Sequence, residues 1–91
     1  MQKKEYDVYQ SLDTLLYSPK TTPQRLPINK EKLRLYQFNI CPYSARVRYA
    51  LAAKKVPYQC VELDCDVKAQ WHAEFNGGEI PVLETPEGEL F

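Results

Sequence analysis

An apolar run of strand length that stops at a Cys-Pro pair, with a helical pattern starting at once behind it, constrains this chain more than any other feature. Leu33, Leu35, Tyr36, Phe38 and Ile40 supply the run, and Asn39-Ile40-Cys41-Pro42 closes it. Pro42 suits the first helical position, where its missing N–H has no partner to lose. Tyr43, Val47, Ala50, Leu51 and Lys54 then share one helical face, while Ala45, Ala52 and Ala53 add propensity until Pro57 ends the pattern. Tyr58 to Leu63 is a second strand, rich in β-formers. Strand, helix and strand in this order predict two parallel strands joined by a right-handed crossover, hence an α/β domain.

Downstream, Val67, Trp71 and Phe75 recur every four residues, which predicts a short second helix closed by Asn76-Gly77-Gly78. Glu79-Ile80-Pro81-Val82-Leu83-Glu84, a turn at Thr85-Pro86-Glu87-Gly88, and Glu89-Leu90-Phe91 predict a hairpin whose second strand has only begun at Phe91. Upstream, residues 1–32 form an extension. Val8, Leu12, Leu15 and Leu16, joined by Tyr9, suit an amphipathic helix from about Glu5 to Tyr17. It is either a partly disordered leader or a docking helix. Pro19, Pro23 and Pro27 then predict an extended linker from Ser18 to Lys32.

At 91 residues there is room for one small domain with one core. Twelve Lys and Arg balance twelve Asp and Glu, which removes the cationic field that nucleic acid or an anionic membrane would require. No apolar run approaches the roughly 18 residues of a membrane span, and Met1-Gln-Lys-Lys-Glu-Tyr-Asp7 lacks a secretory h-region. Cys41, Cys60 and Cys65 are an odd number and too few for a disulfide scaffold, so a reducing compartment is expected.

Among the residues able to carry chemistry, Cys41 comes first. It stands at the N-cap of the first helix, where orphan N–H groups and the positive end of the dipole favour a thiolate, with Arg46 and Arg48 on the first turns adding positive potential. The pattern alone leaves two readings, an activated nucleophile and a buried capping cysteine. Pro81, behind Ile80, opens an apolar strand and on residues alone is expected trans; a cis bond would turn the Ile80 backbone outward. Cys60-x4-Cys65 with lone His72 lacks zinc spacing. His72 is expected on the helix surface, and Glu79, Glu84, Glu87 and Glu89 as solvated hairpin charges.

Leu33 to Arg48, read as Leu-Arg-Leu-Tyr-Gln-Phe-Asn-Ile-Cys-Pro-Tyr-Ser-Ala-Arg-Val-Arg, resembles the opening of the thioredoxin-like domain of omega-class glutathione transferases. Ala52-Ala53-Lys54-Lys55-Val56-Pro57-Tyr58 is similar to that family's helix-to-strand turn. Lys68 and Trp71 match its Lys-x-x-Trp element, and Glu79 to Glu84 match its Val-Pro-Val-Leu-Glu strand. The likeness covers residues 33–91, and the Pro-containing leader is similar as well. Membrane-associated prostaglandin E synthase of the second type is also similar, but carries Cys-x-x-Cys where this chain has Ser44.

The resemblance implies a thioredoxin-like fold, a mixed sheet with flanking helices. It implies that Cys41 forms a mixed disulfide with glutathione and that Ile80 lends its backbone to the glutathione cysteinyl unit across a cis Pro81. It further implies that Lys68 meets the glycine carboxylate and that Tyr43 packs beside the thiol. With Ser44 in place of a resolving cysteine, it implies monothiol exchange, a second glutathione acting as the resolving thiol. Family members continue past the position of Phe91 into an acidic-Ser motif, a further helix and an all-helical domain that forms the acceptor site. The domain is therefore expected to be incomplete at its C-terminus, completed by a missing helical domain or by a protein partner. The rival expectation is a non-catalytic interaction module in a larger assembly. The expected compartment is the cytoplasm, with mitochondrial residence inside a complex as the alternative.

Overall fold

The crossover expected over 33–63 is present. A computed structural model describes residues 13–91, with strands β1 (Thr14–Tyr17), β2 (Leu33–Gln37), β3 (Tyr58–Leu63) and β4 (Val82–Glu84) and helices α1 (Pro42–Ala53) and α2 (Gln70–Asn76). The sheet order is β1-β3-β2-β4. β2 and β3 run parallel, with Leu35 opposite Cys60 and Tyr36 opposite Val61. β4 is antiparallel to β2, with Val82 opposite Tyr36. The hairpin follows, since Leu83 and Phe91 exchange both backbone hydrogen bonds at 3.0 and 2.9 Å.

Alternation along β2 sorts its side chains onto two faces. Tyr36 points to the face where Tyr17, Val61, Ala69 and Val82 are buried, with Leu26, Leu63, Trp71 and Leu90 packed around them. The Trp71 ring meets Tyr36 edge-on at 5.1 Å, and its Nε1 donates to the Tyr17 hydroxyl at 3.1 Å. Leu35 and Gln37 point the other way, toward α1, whose buried residues are Ser44, Arg48 and Leu51. The two helices therefore lie on opposite faces.

Several expectations are corrected. The leader helix was expected to reach Tyr17, but Thr14–Tyr17 is a strand parallel to β3, Thr14 facing Cys60 and Tyr17 facing Leu63. A β-branched residue and two leucines satisfy backbone groups on a free sheet edge more readily than they cover a core as a helix end. Residues 5–12 of that helix lie outside the described residues. The connector from Ser18 is free of helix and strand, yet it is tied to the sheet: Arg25 donates from Nε and Nη2 to Glu84 Oε2 at 3.0 and 2.8 Å.

Glu84 is not solvated. It is 1% exposed, because its β4 position faces Arg34 across the register. Arg34 Nη1 reaches its Oε1 at 3.0 Å, and the Tyr36 hydroxyl donates to the same carboxylate. His72 is likewise buried, because its Nε2 donates to the Glu79 carbonyl at 2.7 Å and so joins α2 to the approach to β4. Phe75, expected to continue the apolar stripe, is exposed, while Val67 precedes the helix. Of the face expected on α1, Tyr43, Val47, Ala50, Leu51 and Lys54, only Leu51 is buried; the buried row is Ser44-Arg48-Leu51, and Tyr43 is 63% exposed.

Candidate functional site

The short span between β2 and α1 carries Cys41 at the end of the sheet where parallel strands finish. Phe38 to Ile40 turn the chain, with Cys41 N–H donating to the Phe38 carbonyl at 3.1 Å. Cys41 then adopts an extended N-cap conformation, φ −82° and ψ 125°, and its carbonyl accepts the Ala45 N–H at 3.0 Å. The cysteine is half-buried. Its neutral thiol makes no capping hydrogen bond, but the groups around it favour the thiolate. The Ser44 backbone N–H is foremost in holding the thiol below its ordinary value. The Ser44 hydroxyl, the Tyr43 N–H and the Arg48 charge add to this against a smaller desolvation effect. Ser44 is fully buried, and its hydroxyl has no other acceptor.

The loop bearing Cys41 is braced from both neighbouring strands. Glu62 of β3 accepts the Asn39 N–H at 2.9 Å and a Gln37 Nε2 hydrogen at 3.1 Å. Gln37 also bonds the Asn39 side chain at 3.2 Å. Arg48 reaches from α1 to Gln37 Oε1 and, at 3.3 Å, to the Asn39 carbonyl.

Ile80 and Pro81 lie just before Val82, the first β4 residue paired with β2. The antiparallel register puts them at the sheet end from which β2 leads to Cys41, and the Ile80-Pro81 bond is cis. The turn before them is fixed by His72 and by Asn76, whose Oδ1 accepts the Gly78 and Glu79 N–H groups at 3.1 and 2.8 Å. Lys68 joins this corner: its exposed ammonium donates to the Gly77 carbonyl at 3.3 Å. Its stem crosses Gly78, where a Cβ would come within 2.4 Å of Lys68 Cδ. At φ +81° that position suits glycine on backbone grounds too.

Cys41, Ile80, Pro81 and Lys68 thus share one end of the sheet. Tyr43 bears on the thiol through its backbone N–H, whereas its ring faces solvent with the Arg46 guanidinium 5.7 Å from its centroid. A cleft of about 70 Å³ includes Phe38, Lys68, Trp71 and Gly78 in its lining. A roomier groove of about 400 Å³, between Asp13, Lys32, Lys55 and Tyr58, lies at the opposite end of the strands from Cys41. Of the other cysteines, Cys65 is exposed, and Cys60 is buried with its thiol pushed up to about 11 by desolvation. Among the described residues no group of His, Cys, Asp and Glu could hold a metal ion, and no helix is long and apolar enough to cross a membrane.

Gln37 and Glu62 escaped the sequence reading of the site, which took Arg48 only as a nearby positive charge and Ser44 only as the residue in place of a resolving cysteine. A signal was there: Ser44 and Arg48 are four apart on one helix face, and Gln37 is the polar member of an otherwise core-facing strand row.

The sequence profile of the glutathione S-transferase N-terminal domain matches residues 35–91. The chain belongs to the glutathione S-transferase family. This transferase domain is 35% identical over 65 residues to glutathione S-transferase omega-2 of Homo sapiens, a match covering 70% of this chain and 27% of the relative. It is 31% identical over 65 residues to glutathione S-transferase omega-1 of Mus musculus, again covering 70% of this chain and 27% of the relative. It is 40% identical over 53 residues to pyrimidodiazepine synthase of Drosophila melanogaster, covering 57% and 22% respectively. The chain therefore spans about a quarter of the length of these curated relatives. Its mixed sheet and flanking helices are those of a thioredoxin-like transferase N-terminal domain, with β1 as an additional edge strand.

Proposed function

We propose that this chain is the glutathione-binding part of an omega-type transferase that works by thiol exchange through Cys41. The observation that carries the reading is the setting of that thiol, a half-exposed N-cap sulfur with the Ser44 and Tyr43 N–H groups and an otherwise unpartnered buried hydroxyl around it. Such donors favour the thiolate, which is the attacking species in disulfide exchange.

The residues present fit glutathione. Lys68 offers an exposed ammonium to its glycine carboxylate, and the Ile80 peptide lies beyond the β2–β4 register pairs, available to a cysteinyl backbone. The Cys41 thiolate attacks the glutathione sulfur of a mixed disulfide GS–SR; the S–S bond breaks, RS⁻ leaves, and Cys41–S–SG forms. A second glutathione thiolate attacks that bond, giving GSSG and the free Cys41 thiolate, so the electrons balance without a resolving cysteine. Ser44 occupies the position such a cysteine would take, and its hydroxyl cannot close a disulfide.

Incubation of the full chain with glutathione disulfide, followed by peptide-resolved mass spectrometry, tests this. One glutathione is expected on Cys41, retained in Cys65→Ser and lost in Cys41→Ser. Modification of Cys65 with Cys41 untouched would instead favour the non-catalytic interaction module.

A further inference from the structure

The helix that presents Cys41 buries an arginine that has no direct counter-charge among the described residues. Arg48 is 5% exposed. Its Nη atoms bond to neutral acceptors, Gln37 Oε1 and the Asn39 carbonyl, and its Nε has no partner. Among the described residues the ion pairs are Lys20–Asp64, Arg25–Glu84, Lys32–Asp13 and Arg34–Glu84, none involving Arg48. The contrast with Arg34 is instructive: it is equally buried and rests directly on Glu84. A buried cation without an anion directly beside it is costly, so its place in the fold calls for a reason.

The groups facing Arg48 narrow the choice of that charge. From β3 come Glu62, reached only through Gln37, the Cys60 thiol, which burial keeps protonated, and Tyr58, whose hydroxyl burial also pushes upward. From α1 comes Arg46, turned outward over the Tyr43 ring. Cys41, at the end of the loop that Arg48 grips through Asn39, is the group among these whose charge can change near neutral pH. Glu62 is a standing negative charge held one side chain away: it accepts the Asn39 N–H and the Gln37 amide and makes no ion pair with Arg48, so the guanidinium is linked to it and not paired with it.

We propose that Arg48 is a positioning residue for the Cys41 thiolate, holding the Asn39–Cys41 loop against α1 and supplying the buried positive charge that the thiolate balances. This rests on the thiol-exchange reading above. Gln37 is the part that makes it work: as a neutral relay it fixes the guanidinium to Glu62 without neutralising it.

The test is the pH dependence of Cys41 alkylation by iodoacetamide in the full chain, read by peptide mass spectrometry with Cys65 as the exposed reference. Arg48→Met is expected to move the Cys41 midpoint upward and slow the reaction on its acid limb about tenfold, leaving Cys65 unaffected, with Arg48→Lys in between. Arg48→Lys guards against misfolding of Arg48→Met, because it keeps a cation beneath the loop; Gln37→Glu gives Arg48 a carboxylate but sets it against Glu62, so its fold is checked by circular dichroism before its midpoint is read. It too is expected to raise the midpoint. A folded Arg48→Met or Gln37→Glu chain with the wild-type midpoint would overturn the proposal. A wild-type midpoint at the ordinary thiol value would instead overturn the thiol-exchange reading, so the two failures are distinguishable.

Discussion

A thiol attacks a disulfide only after losing its proton, so the fate of one hydrogen on Cys41 decides what this domain can do. The backbone supplies the strongest donor, the Ser44 N–H, and the Ser44 hydroxyl adds another that has nowhere else to bond. Ser44→Ala removes only the latter. It is expected to slow Cys41 alkylation on the acid limb about tenfold, the worth of one hydrogen bond to a charged acceptor, without changing the fold; an unchanged rate profile would show that the hydroxyl is silent. Cys41 itself was legible in the sequence, because Cys-Pro between a strand and a helix is a local pattern with local physics. Arg48 was legible as a nearby positive charge, but its bond to Gln37 was not, since the two meet only when α1 packs on β2. His72 and Glu84 were misplaced for the same reason: a polar residue reads as solvated until a partner distant in sequence buries it.

At the scale of elements, the segment before β2 is bound into the sheet at three points. β1 pairs with β3, Ser18 donates to Asp64 at 2.8 Å, and Arg25 and Arg34 converge on Glu84. Replacing Glu84 by Leu leaves Arg34 buried and unpaired, which is expected to cost about 3–5 kcal/mol in urea denaturation; a loss under about 1 kcal/mol would mean that water reaches the site. Acid should loosen β1. Asp13 is held below its usual range by its hydrogen bond to Lys32 and then by Gln59, and Asp64 by the Asp66 N–H and then by Ser18. Depressed carboxylates stabilise the fold fully above their unfolded value, about 4, and that contribution fades as pH falls through the lower folded value. Hydrogen exchange is therefore expected to show β1 losing protection in this acid window before β2 does. Equal protection of the two strands would contradict it. The crossover, the second helix and the hairpin followed from periodicity and turn residues, whereas β1 did not. Its four residues are too few to separate a period of two from one of 3.6, and their strand state depends on an open β3 edge.

On the scale of the whole molecule, the fold gathers Cys41, Ile80-Pro81 and Lys68 at one end of the sheet and leaves β1 on its margin. Shortening the chain to begin at Ser18 would bare the β3 edge, and self-association is the expected result in size-exclusion chromatography; a monomer of unchanged stability would show that β1 is dispensable. The family and the α/β architecture were readable because strand, Cys-Pro, helix and Ile-Pro strand recur in a fixed order. The strut behind the thiol and the clamp on Glu84 depend on contacts across 11 to 59 residues of chain. The central claim is that Cys41 is an activated thiol. Its alkylation rate against pH in the native chain, resolved from Cys60 and Cys65 by peptide mass spectrometry, tests that most directly. The account predicts a midpoint below the roughly 8.5 of a free thiol, with Cys60 silent until unfolding. A Cys41 midpoint at or above that value, or no reaction before unfolding, would contradict it.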